Sequence, residues 1–286
     1  MRFDLDIRTL SFSAGIVSLM LSLCMFYVLY TRKTYAGFRR WTISTLLNFF
    51  GFMLISLRGI FPDFLSILVA NSLLLAAILS IVAGIEAFVG RPRKIWQYSV
   101  PLVFLIITFF YFTYFSASLS ARIAIISVMI ALLLIYCAFI IYSYIPPLLH
   151  SPNRLLIITC IVIALWFLIR AVLTISSGDS IHDFMLSSTI SQLSFILLLG
   201  GNIAIITGLI ILNSQRIEHE LSASINEIRQ LKGILPICAS CKKIRDDLGY
   251  WNQIESYIRA HSEAEFSHGI CPDCAKKLYP EYNRPE

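Results

Sequence analysis

Four of the seven cysteines fall into two pairs of equal spacing, Cys238-x2-Cys241 and Cys271-x2-Cys274, with 29 residues between them. Two residues between thiols let one turn present both sulfurs to a single ion, and two such pairs complete the tetrahedron that Zn2+ adopts in structural sites. The expected cofactor is therefore one structural zinc ion on Cys238, Cys241, Cys271 and Cys274. A catalytic zinc keeps an open position for water, and four thiolates leave none. Lys242, Lys243 and Arg245 stand beside the first pair, where they offset the charge of a tetrathiolate. His261 and His268 are alternative ligands, and oxidative release of the metal is an alternative role for the thiols. No phosphate-binding glycine loop, cyclase or kinase signature, or nucleophile-base spacing accompanies the cysteines, so the chain is not expected to be an enzyme.

The elements that must position these thiols are short. KKIRDDLGYW predicts two strands around an Asp-Asp-Leu-Gly turn. NQIESYIRAH predicts a helix started by Asn252, with Ile254, Tyr257, Ile258 and His261 on one face. CPDCAKKLYPEY places Pro272 and Asp273 at a helix start, with the second cysteine pair at its positive end. Together these make a small α+β, treble-clef-like zinc module over residues 236–286. So few residues bury little core, so the metal would supply most of the folding energy.

Upstream, residues 213–235 carry Ile217, Leu221, Ile228, Leu231 and Leu235 at a and d positions of a heptad, with Ser224 at one d. Fewer than three heptads make a marginal coiled coil, but a helix already nucleated in the membrane extends readily. Gly233 and Pro236 then stop it. The expectation is a homodimeric stalk; the alternative is an amphipathic helix lying on the membrane or on the tail module.

Residues 1–212 belong to a different medium. The chain of 286 residues is 57% hydrophobic and 14% charged, against about a quarter charged in ordinary globular domains. A membrane-crossing helix needs roughly 20 mostly apolar residues. Seven such runs lie near 10–30, 41–60, 64–89, 95–115, 122–145, 155–175 and 184–212. The first run has no clear small-residue cleavage site and is read as a retained span. Arg32, Lys33, Arg39 and Arg40 follow span 1, Arg91, Arg93 and Lys94 follow span 3, and Arg154 precedes span 6. The loops at 61–63, 116–121 and 176–183 hold no Lys or Arg. The positive-inside rule then puts the N-terminus outside and the tail in the cytoplasm. The net charge of +6 splits into +7 for residues 1–212 and −1 for the rest. The basic excess thus faces lipid headgroups, and a nucleic-acid-binding tail is not expected.

Inside the spans, ionisable residues are the default functional candidates, because burying a charge in lipid is costly. Glu86 sits near Arg91 and Arg93 and reads first as an interfacial ion pair. Arg58 and Arg170 lie toward the outer ends of spans 2 and 6, where positive charge is disfavoured. They either snorkel to the headgroups or line an outward-facing pocket with Asp179, Asp183 or an anionic ligand. Asn48, Asn71, Gln192 and Asn202 read as interhelical hydrogen-bonding residues. Pro101, Pro146 and Pro147 fall near helix ends as punctuation. No lysine lies within a span, which excludes a retinal Schiff base. All five histidines lie outside the spans, which excludes paired axial ligands for a membrane haem. Cys24, Cys137 and Cys160 are isolated in apolar runs, where a cysteine acts as a small hydrophobe.

The stretch LKGILPICASCKKIRDDLGYWNQIESYIRAHSEAEFSHGICPDCAKKLYPEY, residues 231–282, closely resembles a cysteine-rich segment at the C-terminus of many bacterial signalling proteins, often behind PAS or receiver domains. Cys238, Cys241, Gly249, Tyr250, Trp251, Cys271, Cys274 and the terminal LYPE carry the resemblance. The membrane half is similar in layout to the seven-helix sensor regions of some bacterial histidine kinases, although a kinase core is absent and direct phosphotransfer is not expected. The resemblance implies a multi-pass protein of the bacterial inner membrane that passes a signal to a cytosolic signalling partner. The fold expected is an all-α, seven-helix bundle with its N-terminus out and C-terminus in, a helical stalk and the small zinc module. The alternative is a transporter or channel with a regulatory or assembly zinc tail. A third reading, a membrane enzyme, lacks clustered His, Asp or Glu at either membrane face.

Overall fold

Without water to satisfy its backbone, a chain crossing hydrocarbon must close its hydrogen bonds within each segment, and the N-terminal part of this one is built almost wholly of helix. In the computed structural model they are α1 (Ile7–Thr31), α2 (Phe38–Ser56), α3 (Ala70–Phe88, entered through a π-helical stretch, Phe64–Val69), α4 (Trp96–Tyr114), α5 (Leu119–Tyr144), α6 (His150–Ser176) and α7 (Thr189–Lys232). The structure describes residues 6–91, 94–145, 150–176, 189–232, 236–246, 249–262 and 264–280. Asp179 and Asp183 lie outside the described residues, as do Arg93, Pro146, Pro147, Gly233, Leu235, Asp247 and Leu248. The chain divides into two compact units, Met1–Glu218 and His219–Glu286.

Six helices among the described residues are long and apolar enough to cross a membrane, namely Ile7–Thr31, Phe64–Phe88, Trp96–Tyr114, Leu119–Tyr144, Arg154–Ser176 and Thr189–Ile225. α2 is long enough at 19 residues but less apolar, beginning with Arg39 and Arg40 and carrying Thr42, Ser44, Thr45 and Asn48. About half of its residues are buried, those four polar ones included. The hydroxyls return to their own helix, Thr42 to the Phe38 carbonyl at 3.1 Å, Ser44 to Trp41 at 2.7 Å and Thr45 to Thr42 at 2.7 Å. A helix half buried among its neighbours needs only a narrow lipid-facing stripe, here Ile43 and Phe50.

The main core joins the C-terminal parts of α1, α3 and α5 and the middle of α7 to the N-terminal parts of α2 and α6, through Met25, Phe88, Ile141, Leu212, Trp41 and Leu156 among others. Successive helices therefore run antiparallel. Two smaller cores lie at the other end, one around Ile7, Phe52, Ile55 and Phe195, the other around Ile67, Leu75, Leu105 and Phe109. Exposed Val, Ile, Leu and Phe side chains cover the outer faces of α4, α5 and α6. Tyr27, Tyr30, Trp96 and Tyr142 are exposed at one end and Tyr111 and Tyr114 at the other, an arrangement suited to the two headgroup layers. Pro101 falls inside α4, in its second turn.

In the second unit α7 continues to Lys232, followed by strands β1 (Ile244–Arg245) and β2 (Trp251–Asn252) and helices α8 (Ile254–His261) and α9 (Pro272–Leu278). β1 and β2 pair antiparallel, with Ile244 opposite Asn252. Asp246 closes the hairpin: Tyr250 N–H donates to its Oδ1 and Asn252 Nδ2 to its Oδ2, both at 2.7 Å. Asn252 therefore does not start α8 as its sequence position suggests. Its side chain is committed to Asp246, and Gln253 takes the cap position with no side-chain hydrogen bond. Among the described residues of this unit, Ile244 is the one fully buried hydrophobic side chain.

Candidate functional site: an arginine-lined cavity and a cysteine hairpin

At the end of the bundle where the two small cores meet, a cavity of about 80 Å³ opens between α2, α3, α4, α5, α6 and α7. Its walls are apolar, including Phe52, Ile55, Phe109, Phe167 and Phe195, and its polar side chains are Arg58, Arg122, Arg170, Ser66 and Asn71. Ser66 belongs to the π-helical entry of α3, a geometry that often marks functional positions. Arg58 and Arg170, the two arginines singled out by position in the sequence, thus line one cavity.

Arg170 is 6% exposed, its guanidinium lies 5.6 Å from the Phe167 ring centre, and no carboxylate among the described residues pairs with it. Arg122 donates from Nη1 to Thr113 Oγ1 at 3.2 Å, while its buried Nε finds no partner among the described residues. Arg58 and Asp63 both act on Arg122 electrostatically, with opposite sign. Arg8 donates to the Arg58 carbonyl at 3.0 Å and ties α1 to the rim. Arg122 escaped sequence reasoning because the loop before it is free of basic residues. The signal was present one turn into α5, at the same membrane end as Arg58 and Arg170.

Below the cavity, a polar relay crosses three helices. Asn48 Nδ2 donates to Asn202 Oδ1 at 3.4 Å, and Asn202 Nδ2 donates to Ser18 Oγ at 3.0 Å, joining α2, α7 and α1. Asn71 turns back on its own helix, donating to the Ile67 carbonyl at 2.7 Å.

At the opposite end α7 is fastened where it leaves the bundle. Asn213 Oδ1 accepts from Tyr35 N–H at 3.1 Å and its Nδ2 donates to the Lys33 carbonyl at 3.4 Å. Arg216 donates to the Phe88 carbonyl and stacks over Tyr35, 4.3 Å from the ring centre. Glu86 is 2% exposed. It accepts hydrogen bonds from the Tyr98 and Tyr136 hydroxyls, a role its sequence proximity to Arg91 did not disclose. Arg91 lies over the Tyr144 ring at 4.3 Å.

The first cysteine pair sits on a tight reversal. Ile237 bridges Ile244, Cys238 N–H donates to the Lys243 carbonyl at 2.8 Å, and Lys242 N–H donates to the Cys238 carbonyl at 3.0 Å. Lys242 adopts φ 61 to complete the turn. Cys241 N–H points at Cys238 Sγ, 3.5 Å away. The backbone N–H groups of Cys241 and Ser240 hold the Cys238 thiol below its ordinary value. In the second pair Cys271 caps α9, Pro272 opens it and Cys274 follows one turn in. The Cys274 N–H holds the Cys271 thiol low in the same way. Each pair is therefore formed as a unit with thiolate-favouring donors, the donor chemistry that zinc requires. Among the described residues no three His, Cys, Asp or Glu side chains are gathered within metal-holding distance. His261 stacks on Tyr257 at 4.1 Å, and its Nδ1 lies 2.7 Å from the Tyr257 carbonyl.

No protein-family model, curated protein or solved structure matches the chain.

Proposed function

We propose that the chain is a seven-span membrane sensor of the bacterial inner membrane, N-terminus out and C-terminus in, that passes a signal along α7 to a cytosolic zinc module. The observation that carries this reading is α7 itself. It is one unbroken helix of 44 residues, about 66 Å at 1.5 Å per residue, twice the hydrocarbon thickness. One end lines the arginine cavity, the middle is bound by Asn202 and Asn213 to α1, α2 and the loop between them, and the far end leads to the cysteines. α2 supplies the seventh span, with about half of its residues buried against its neighbours. A displacement of α7 by one small step would be felt along its whole length, because a helix is stiff and its packing is bistable rather than continuously deformable.

Zinc on Cys238, Cys241, Cys271 and Cys274 would cross-link a unit in which Ile244 is the one fully buried hydrophobic side chain among the described residues, and supply the folding energy that so little apolar burial does not. The exposed Leu221 and Ile225 on the outgoing helix favour pairing of two stalks. The transporter reading is weakened by the main core. It packs Ile130, Ile163, Ile145 and Leu212 into one continuous apolar cluster.

The test uses the full chain and a chain ending at Asn213, both in sealed vesicles. Each should insert. Only the full chain should bind zinc, about one ion per chain, with its cysteines labelled from the inner face of cells. Solute uptake by the full chain, or metal-free protein with unchanged folding of the tail, would overturn the reading.

A further inference from the structure

We infer that the cavity between α2, α5 and α6 is a binding site for a small anion, a carboxylate or phosphate-type oxoanion, with Arg170 and Arg122 as its principal donors. This deepens the sensor reading by naming the chemistry of its stimulus.

Three guanidiniums, from Arg58, Arg122 and Arg170, line about 80 Å³ of space. That volume holds several waters or one small oxoanion. Burying even one cation in a low-dielectric interior is costly unless it is paired. Arg170 is more than nine-tenths buried, with the Phe167 ring beside it and no carboxylate partner among the described residues. Arg122 offers a buried Nε–H that no described residue accepts, and Asp63 is the one described carboxylate whose field reaches it. A fold that places three positive charges around one cavity is complementary to a negative guest.

The choice of arginine is informative as well. A planar guanidinium donates in a fixed fork that fits carboxylate and phosphate oxygens, whereas an ammonium acts as a point charge. The apolar walls, Phe52, Ile55, Phe109, Phe167 and Phe195, would strengthen these bonds by excluding water and would accept a short hydrocarbon body. Two sources share this chemistry: a free small anion and the headgroup of an anionic lipid entering between the helices.

The experiment measures thermal unfolding of the full chain in lipid nanodiscs. In discs of phosphatidylcholine, inorganic phosphate, acetate or butyrate should raise the melting temperature saturably, which supports a free anion. A rise seen only when phosphatidylglycerol replaces part of the lipid supports the same site filled by a headgroup. In either case Arg170→Gln and Arg122→Gln should each weaken the response about ten- to hundredfold, the loss expected for one charged hydrogen bond, while Arg170→Lys keeps part of it. Because the variants are read against their own anion-free melting temperature, altered folding does not mimic altered binding. No response to anions or anionic lipid, or responses equal in wild type and both glutamine variants, would overturn the inference. Binding is scored without any signalling output, so a bound anion with a tail that makes no difference would sink the sensor reading alone.

Discussion

Arg216 Nη1 donates to the Phe88 carbonyl across 2.8 Å, fastening the helix that leaves the bundle to the last residue of α3. The same guanidinium lies over the rings of Tyr35 and Phe88, at 4.3 and 5.0 Å. A hydrogen bond from a charged donor contributes about 1.5–3 kcal/mol, and a cation over an aromatic face adds about 0.5–1 kcal/mol. Arg216→Ala should therefore loosen α7 locally by about 2 kcal/mol. Hydrogen exchange should quicken through residues 213–225 while α5 and α6 stay as protected as before. Equal exchange in both proteins would show that the latch does not hold the helix.

Gly84 makes the strongest packing prediction. Its Cα faces the Trp41 indole, and a Cβ there would run into Trp41 Nε1 and Cδ1. Trp41 is itself fully buried, 5.6 Å from the Phe88 ring centre, so the indole has no room to yield. Alanine normally improves a helix by about 1 kcal/mol over glycine. Here overpacking should reverse the sign and cost about 1–3 kcal/mol. Gly200→Ala is the control, since a Cβ at that position meets nothing within 4 Å. Melting temperatures should fall for Gly84→Ala and hold or rise for Gly200→Ala. A fall in both, or in neither, contradicts this packing.

Much of this arrangement is written in local pattern, and the remainder depends on tertiary encounter. Apolar run length marks seven segments, and six of the helices formed there are long and apolar enough to cross a membrane, because solvation by lipid is a property of composition. α2 departs from the pattern since it carries buried polar residues, Thr42, Ser44 and Thr45 bonded within the helix and Asn48 bonded to Asn202 of α7. The hairpin at Asp246 and Gly249, and the opening of α9 at Pro272, are legible because turn and cap chemistry is local. Arg58 and Arg170 stand out by their place at the wrong end of a span. That they meet, and that Arg122 joins them, depends on the antiparallel order of five helices, which no local rule encodes. The Tyr98 and Tyr136 hydroxyls on Glu86 are 12 and 50 residues away in sequence. The second of these is beyond any helical period.

Those tyrosines define a further test. Tyr136 Oη donates to Glu86 Oε1 at 2.6 Å, and Glu86 is 2% exposed. Tyr136→Phe keeps the ring and removes one donor from a buried carboxyl group, at a cost of about 1.5–3 kcal/mol. In a Glu86→Gln background the same change should cost less, because the acceptor is neutral. A double-mutant cycle on thermal unfolding reads this coupling directly. Additive effects would show that hydroxyl and carboxyl group do not interact.

The last prediction separates backbone from charge at the first cysteine pair. Lys242 holds φ 61, a left-handed conformation that costs an L-residue about 1–2 kcal/mol and glycine almost nothing. Its N–H donates to the Cys238 carbonyl at 3.0 Å, so the strained residue is the one that brings the chain round beside both thiols. Lys242→Gly and Lys242→Ala both remove the ammonium, and they lose whatever it contributes beside a charged tetrathiolate to the same extent. They differ in the backbone. With the proposed zinc bound, the glycine variant should hold the ion about five- to tenfold more tightly than the alanine variant in competition with a chelator, and Lys242→Val, being β-branched, should hold it least. If all three variants surrender zinc at one chelator concentration, the left-handed turn plays no part in holding the metal.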